Sequence, residues 1–134
     1  MSFVHGKSTY MSVDGNDLSA YTDTSTFNVG ADVHDLTTYG QNNHVFQGGL
    51  GNNTGQMSGT YDNTAGTGPR AVLKPRVGTT VVVVRRPEGT GSAKPQDSVS
   101  AVISSYVETN PVADFVKWSC EFQCSGTVDA TAQA

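Results

Sequence analysis

The sequence predicts a mainly β domain, a β-sandwich or barrel-like fold of about six to eight strands with one short flanking helix and long loops, and three observations carry that expectation. From Phe115 to Val128, the residues Val116, Trp118, Cys120, Phe122, Cys124 and Val128 alternate with Lys117, Ser119, Glu121, Gln123, Ser125 and Thr127. This is the period-two pattern of a strand with one face in a core and the other toward water or a polar partner. Thr, Ser and Gly make up about a third of the chain while charged residues are only 15%, which suits short strands and turns and disfavours long surface helices. A length of 134 residues fits one core. The chain is therefore read as one domain over 1–134, with 1–7 as an N-terminal arm and 129–134 as a flexible C-terminal tail.

Along the chain, Ser8 to Val13 alternates with Thr9, Met11 and Val13 on one parity, and Asp14, Gly15 and Asn16 then reverse it. Leu18 to Tyr21 is long enough for a single turn, which Asp17 can cap. Thr26 to Asp35 reads as a second strand with Phe27, Val29, Ala31 and Val33 on one face and Asn28, Gly30, Asp32 and His34 on the other. Thr37 to Asn53 is rich in Gly and Asn, with Tyr39, Val45, Phe46 and Leu50 as scattered apolar residues, and reads as a long loop ordered against a neighbour. Thr54 to Asp62 resumes alternation, with Met57 and Tyr61 on the core parity.

Pro69 suits the first turn of a helix through Lys74, where its missing N–H costs nothing, and Pro75 should end it. Val81 to Val84 is a β-branched run that reads as a central strand buried on both faces. Pro87 to Asp97 is a Gly/Pro/Ser loop. Ser98 to Glu108 is a strand with Val99, Ala101, Ile103 and Val107 inward and Tyr106 on the polar parity, and Asn110 and Pro111 turn the chain into the last strand.

Charge and motif content exclude several functions. A net charge of −4 and a pI near 5.1 disfavour a protein that grips nucleic acid, which requires clustered Lys and Arg. No basic leader with an apolar core is present, and no apolar run approaches the roughly 20 residues that cross a bilayer, so a cytosolic, soluble start with no membrane partner is expected. Cys120 and Cys124 lie four residues apart on one strand, roughly 13 Å, too far to bridge, and read as small core residues. No G-x-S-x-G elbow or phosphate-binding G-x-x-x-x-G-K occurs, and Gly89 and Gly91 lead to Lys94 where a dinucleotide fingerprint needs a small residue. His5, His34 and His44 lack close second ligands. Arg85 and Arg86 read as a strand exit, and Arg70, Lys74 and Arg76 as a solvated helix face. No enzyme, cofactor or metal is expected.

Three blocks together resemble a known family. VFQGGLGNNTGQMSGTYD from Val45, GPRAVLKPRVGTTVVVVRRPEGTGS from Gly68 and SYVETNPVADFVKWSCEFQCSGTV from Ser105 look like the major tail tube protein of long non-contractile-tailed (siphovirus-type) bacteriophages. The likeness runs roughly from Asp32 to Val128, through turn and strand patterns and not through chemistry. It implies a β-sandwich with a short helix that assembles into hexameric rings, stacked into the hollow tube through which double-stranded DNA passes without specific binding. It also implies tape measure, terminator and baseplate or tip proteins as partners, a place in the virion tail, and synthesis in the host cytoplasm. On that footing Gln56, Ser58, Thr60, Asp62, Lys117, Ser119, Glu121 and Gln123 are expected to line the lumen, and Tyr39, Val45, Phe46 and Leu50 to make inter-subunit contacts. A capsid decoration protein or virion fibre module would share the small β-domain without its long central loop. A carbohydrate-binding β-sandwich would want exposed aromatics, and Trp118, Phe122 and Phe27 have core parity.

Overall fold

The computed structural model describes residues 3–64 and 66–133. Residues 1 and 2 of the expected arm and residue 134 of the expected tail lie outside them. Seven strands, β1 (Tyr10–Val13), β2 (Asn16–Asp17), β3 (Thr24–Asp35), β4 (Phe46–Thr60), β5 (Thr80–Arg86), β6 (Asp97–Thr109) and β7 (Lys117–Cys124), form one antiparallel series in the order β2-β1-β5-β6-β7-β4-β3. Among the described residues one α-helix, α1 (Pro69–Leu73), lies between β4 and β5. The domain is thus mainly β with one short helix, as the composition and alternation predict.

The core forms on one face of this series. Met11 and Val13 of β1, Met57 of β4, Val81 and Val83 of β5, Val99, Ala101 and Ile103 of β6 and Trp118, Cys120 and Phe122 of β7 are all buried, together with Leu18, Val72 and Leu73. The sheet curls around them. Arg85 of β5 lies 5.5 Å over the ring of Phe27 on β3, although three strands separate them in the series. Phe27 also meets Phe122 edge-to-face at 5.5 Å. The 3₁₀ turn Ser19–Tyr21 is opened by Asp17, whose carboxylate accepts from the Ser19 N–H at 2.9 Å, and it closes the core from above. Pro69 starts α1 as expected, but Pro75 does not end the coil there, because the chain tightens into a 3₁₀ turn over Lys74–Arg76. Arg76 secures that turn by donating to the Val72 carbonyl at 2.7 Å and pairing with Asp14 at 3.2 Å.

Four expectations are corrected here. Thr37 to Asn53 is not a long loop: β4 begins at Phe46, so only 36–45 connect it to β3. Its end at Thr60 also leaves Asp62 outside the strand. A bulge accounts for the third: between Ile103 and Ser105 the extra residue lies in β6 and turns Tyr106 inward and Val107 outward, whereas the bulge opposite Ala31 and Val33 has its extra residue in β4 and leaves Phe27, Val29, Ala31 and Val33 on one face as expected. Tyr106 stacks on Trp118 with ring centroids 6.4 Å apart, while Val107 is 49% exposed. Finally, β5 is buried on one face only: Val81 and Val83 are in the core and Val82 is 46% exposed.

The C-terminal segment runs back along the start of β6. Ser98 and Asp129 exchange backbone bonds of 2.9 and 2.8 Å, and Gln133 binds Gly89 and Gly91 through its side chain and Ala93 and Lys94 through its backbone.

Two glycines of β4 are required by what they face. Gly55 sits under the Phe122 ring, and Gly59 sits against the Tyr21 carbonyl, so a methyl at either would overlap its neighbour. Gly48, in the same strand, has open space around it. Gly59→Ala is expected to destabilise the fold by about 1–3 kcal/mol in urea unfolding, whereas Gly48→Ala should be neutral or gain up to about 1 kcal/mol from reduced chain entropy.

Candidate functional site

Two surfaces follow from this topology. The first is the sheet face opposite the core. Antiparallel pairing places Gln56 beside Glu121, Ser58 beside Ser119 and Thr60 beside Lys117, and Gln123 beside Thr54, so seven of the eight residues expected on a polar wall share one face. Lys117 donates to the Thr60 hydroxyl at 3.3 Å, and Gln123 donates to Asn52 Oδ1 at 3.0 Å and to the Asn53 carbonyl at 2.9 Å. Ser104, at the β6 bulge, donates to the Glu121 carbonyl at 3.1 Å. Thr26, Asn28, Thr54, Gln56, Glu121 and Gln123 border an open hollow of about 460 Å³ on this face.

Asp62 does not join them. It lies in the turn after β4, where its carboxylate accepts from the Thr64 hydroxyl and from the Thr64 N–H at 2.8 Å. Those two bonds hold its carboxyl below the ordinary carboxylate range. The remaining face is nearly uncharged: Lys117 and Glu121 have opposite signs and lie on one strand, and the rest are hydroxyls and amides. Nothing here resembles a phosphate clamp.

The second surface is a projecting arm. β4 pairs with β7 only over Thr54–Thr60, so Phe46 to Asn53 have β3 as their sole strand neighbour, opposite Val29 to Asp35. Eight residues at about 3.3 Å each carry this two-stranded arm roughly 26 Å past the sheet. Tyr39, Val45, Phe46 and Leu50 all lie on it and all are exposed, and Val29, Val33 and Leu36 are exposed beside them. The extra residue of the bulge lies in β4, between Gly51 and Gly48, so Val33 keeps the face of Val29 and Ala31 and shares it with Phe46, which pairs with Asp35. At the tip, Leu36 donates to the Val45 carbonyl at 2.8 Å, Val45 donates to the Thr37 hydroxyl at 2.9 Å, and Asp35 accepts from the Thr37 N–H at 2.9 Å and hydroxyl at 2.5 Å.

Reactive side chains elsewhere are engaged in packing. Arg85 pairs with Asp97 at 3.5 Å, and Arg86 donates to Gln96 at 2.8 Å while lying 4.6 Å over the Tyr10 ring. Cys120 is buried and Cys124 half-buried, both as free thiols, and burial pushes Cys120 up to about 12.

No protein-family model and no curated protein matches the chain. Solved structures do match its fold. A chain of the SPP1 tail tube superposes with a TM-score of 0.78 at 14% identity, over 98% of this chain and 80% of that one. A chain from the virion of a native gene transfer agent particle gives 0.76 at 13% identity, over 97% and 100%. One from the extended sheath-tube complex of the PVC extracellular contractile injection system gives 0.71 at 11% identity, over 98% and 93%. The fold is that of tail-tube assemblies, as the sequence resemblance implies.

The tip geometry has a pH signature. The two Thr37 bonds, the hydroxyl's first, hold the Asp35 carboxyl below its ordinary 3.8. A lowered native pKa means that the tip's ordering is full above the unfolded value and is lost as pH falls through the native one. Thr37→Ala is expected to return the Asp35 pKa toward 3.8 in an NMR pH titration, with tip amides broadening below it; an unchanged pKa would show that Thr37 does not hold the carboxylate.

Proposed function

We propose that this chain is the structural subunit of a phage-type tail tube: copies close into hexameric rings, the rings stack, and the channel they enclose conducts double-stranded DNA. The single observation that carries this reading is the near-complete superposition on the SPP1 tail-tube chain, which involves all but a few residues. A gene transfer agent tail whose chain also matches, with a TM-score of 0.69 at 15% identity, was refined with C6 symmetry, which favours six copies per ring. The chain's own surfaces suit the role. The arm presents exposed Tyr39, Val45, Phe46 and Leu50, and a two-stranded ribbon alone is marginal in water, so it gains stability from another copy. Tape measure, terminator and tip proteins complete the tail, and subunits made in the host cytoplasm enter the virion in this assembly. The role is structural and not catalytic.

Diluted protein is expected to sediment as a monomer or small oligomer, and to form hollow rods by electron microscopy when concentrated or supplied with tail initiators. A stable monomer under every such condition would exclude the reading.

The polar face supplies the wall in this proposal: Gln56, Ser58, Thr60, Lys117, Ser119, Glu121 and Gln123 face the lumen, and hydroxyls and amides without clustered cations leave DNA phosphates unheld. Converting Ser119, Glu121 and Gln123 to Lys adds three cations per subunit and should trap phosphates. The expected result is particles that assemble and adsorb but eject DNA slowly, with the defect relieved by added salt. Normal ejection at low salt would place this face outside the channel.

A further inference from the structure

We propose that the arm of one copy docks on the basic ledge around Lys74, formed by α1 and the 3₁₀ turn that follows it, on a second copy. This rests on the tube reading for the presence of a second copy, and it names the surface that receives the arm. Charge is segregated along the chain. No Lys or Arg occurs between Lys7 and Arg70, so the arm carries Asp32 and Asp35 with no Lys or Arg of its own. Arg70, Lys74 and Arg76 then come together on one short coil.

Arg70 and Arg76 are already engaged, with Glu108 at 3.0 Å and Asp14 at 3.2 Å. Lys74 is exposed and has no carboxylate partner among the described residues. It stands between two open hollows of about 400 and 550 Å³, the first bordered by Tyr61, Ala71 and Pro75 and the second by Val77 and Tyr106. Asp62 and Glu108 also border them, but Thr64 holds the first and Arg70 the second. The ledge thus offers a free cation between two apolar hollows. The arm offers the Asp32 carboxylate with exposed Leu36, Tyr39 and Phe46, the complementary set, while Asp35 is held by Thr37 with His44 3.8 Å away.

The contact cannot be made within one copy. The arm leaves the sheet at the N-terminal end of β4, and α1 follows its C-terminal end, beside the Glu108 end of β6. Fifteen residues of strand separate the two, roughly 50 Å at about 3.3 Å each. Donor and acceptor at opposite ends make a head-to-tail contact, which can repeat from copy to copy along a stack.

The test replaces Tyr39 by a photo-crosslinking benzoylphenylalanine in the full chain, mixes isotopically heavy and light protein, assembles it at high concentration and maps the heavy-to-light cross-links. They are expected to fall within residues 61–77 of the other copy. Lys74→Glu, which should leave the circular dichroism spectrum unchanged, is expected to raise the concentration needed for half-assembly about tenfold, as is Asp32→Lys; the double variant should recover to within about threefold of the original. Rods whose Tyr39 cross-links map to another surface would remove the ledge and leave the tube reading intact. Assembly indifferent to Lys74→Glu would do the same. A chain that never assembles would overturn both.

Discussion

The accommodation of Trp118 is the constraint on which the rest of the domain depends. Its indole is fully buried at the start of β7, stacked on Tyr106 of β6 and opposite Gly59 of β4, and its N–H donates to the Tyr21 carbonyl at 3.2 Å. That carbonyl occupies the space a side chain at 59 would need. One aromatic residue therefore ties the 3₁₀ turn before β3 to the middle of the sheet, and satisfies a polar group that burial would otherwise leave unpaired. The curl of the sheet over its core follows from this contact together with the Phe27 to Phe122 contact one layer away.

Much of this was legible in the residues, and the failures have specific causes. β7 announces itself because every second residue is apolar, and β1 and β6 do so more weakly. β4 is hidden because its first half has Gly where a strand normally has β-branched residues, and what makes it a strand is pairing with β3, a long-range fact absent from any local window. The two bulges cost the most in detail. Each inserts one residue, inverts its own strand's parity beyond it, and leaves no mark on composition, so in β6 Tyr106 and Val107 exchange faces and in β4 Gly48 and Gly51, three residues apart, share one. In the candidate site, the polar face was readable because Lys117 to Gln123 and Gln56 to Thr60 keep strict alternation, whereas Asp62 falls past the end of hydrogen bonding. The arm's four apolar residues were readable as unburied, but not as belonging to a two-stranded ribbon and its tip.

In the proposed tube the two surfaces meet different physical demands. A wall along which a polyanion slides must avoid both cations, which would hold phosphates, and exposed apolar area, which would favour collapse of the channel; hydroxyls and amides satisfy both requirements. A joint between copies needs the opposite, apolar area to exclude water and a few charges to fix its direction. Topology puts the polar face where β4 has two strand neighbours and the apolar arm where it has one, so the proposed wall and the proposed joint fall on different parts of the sheet.

The glycines of the arm have a consequence for the subunit before it meets a partner. A ribbon with free hydrogen-bonding edges and a row of apolar side chains is a template for uncontrolled strand addition, the route to fibrous aggregates. Gly48, Gly49 and Gly51 interrupt the stretch from Phe46 to Asn53, and no window of six residues there has the continuous side-chain wall that a dry steric zipper requires. The feature that disguises β4 as a loop also makes it a poor seed for cross-β stacking, which would keep the arm available for the docking proposed above in a solution crowded with identical copies.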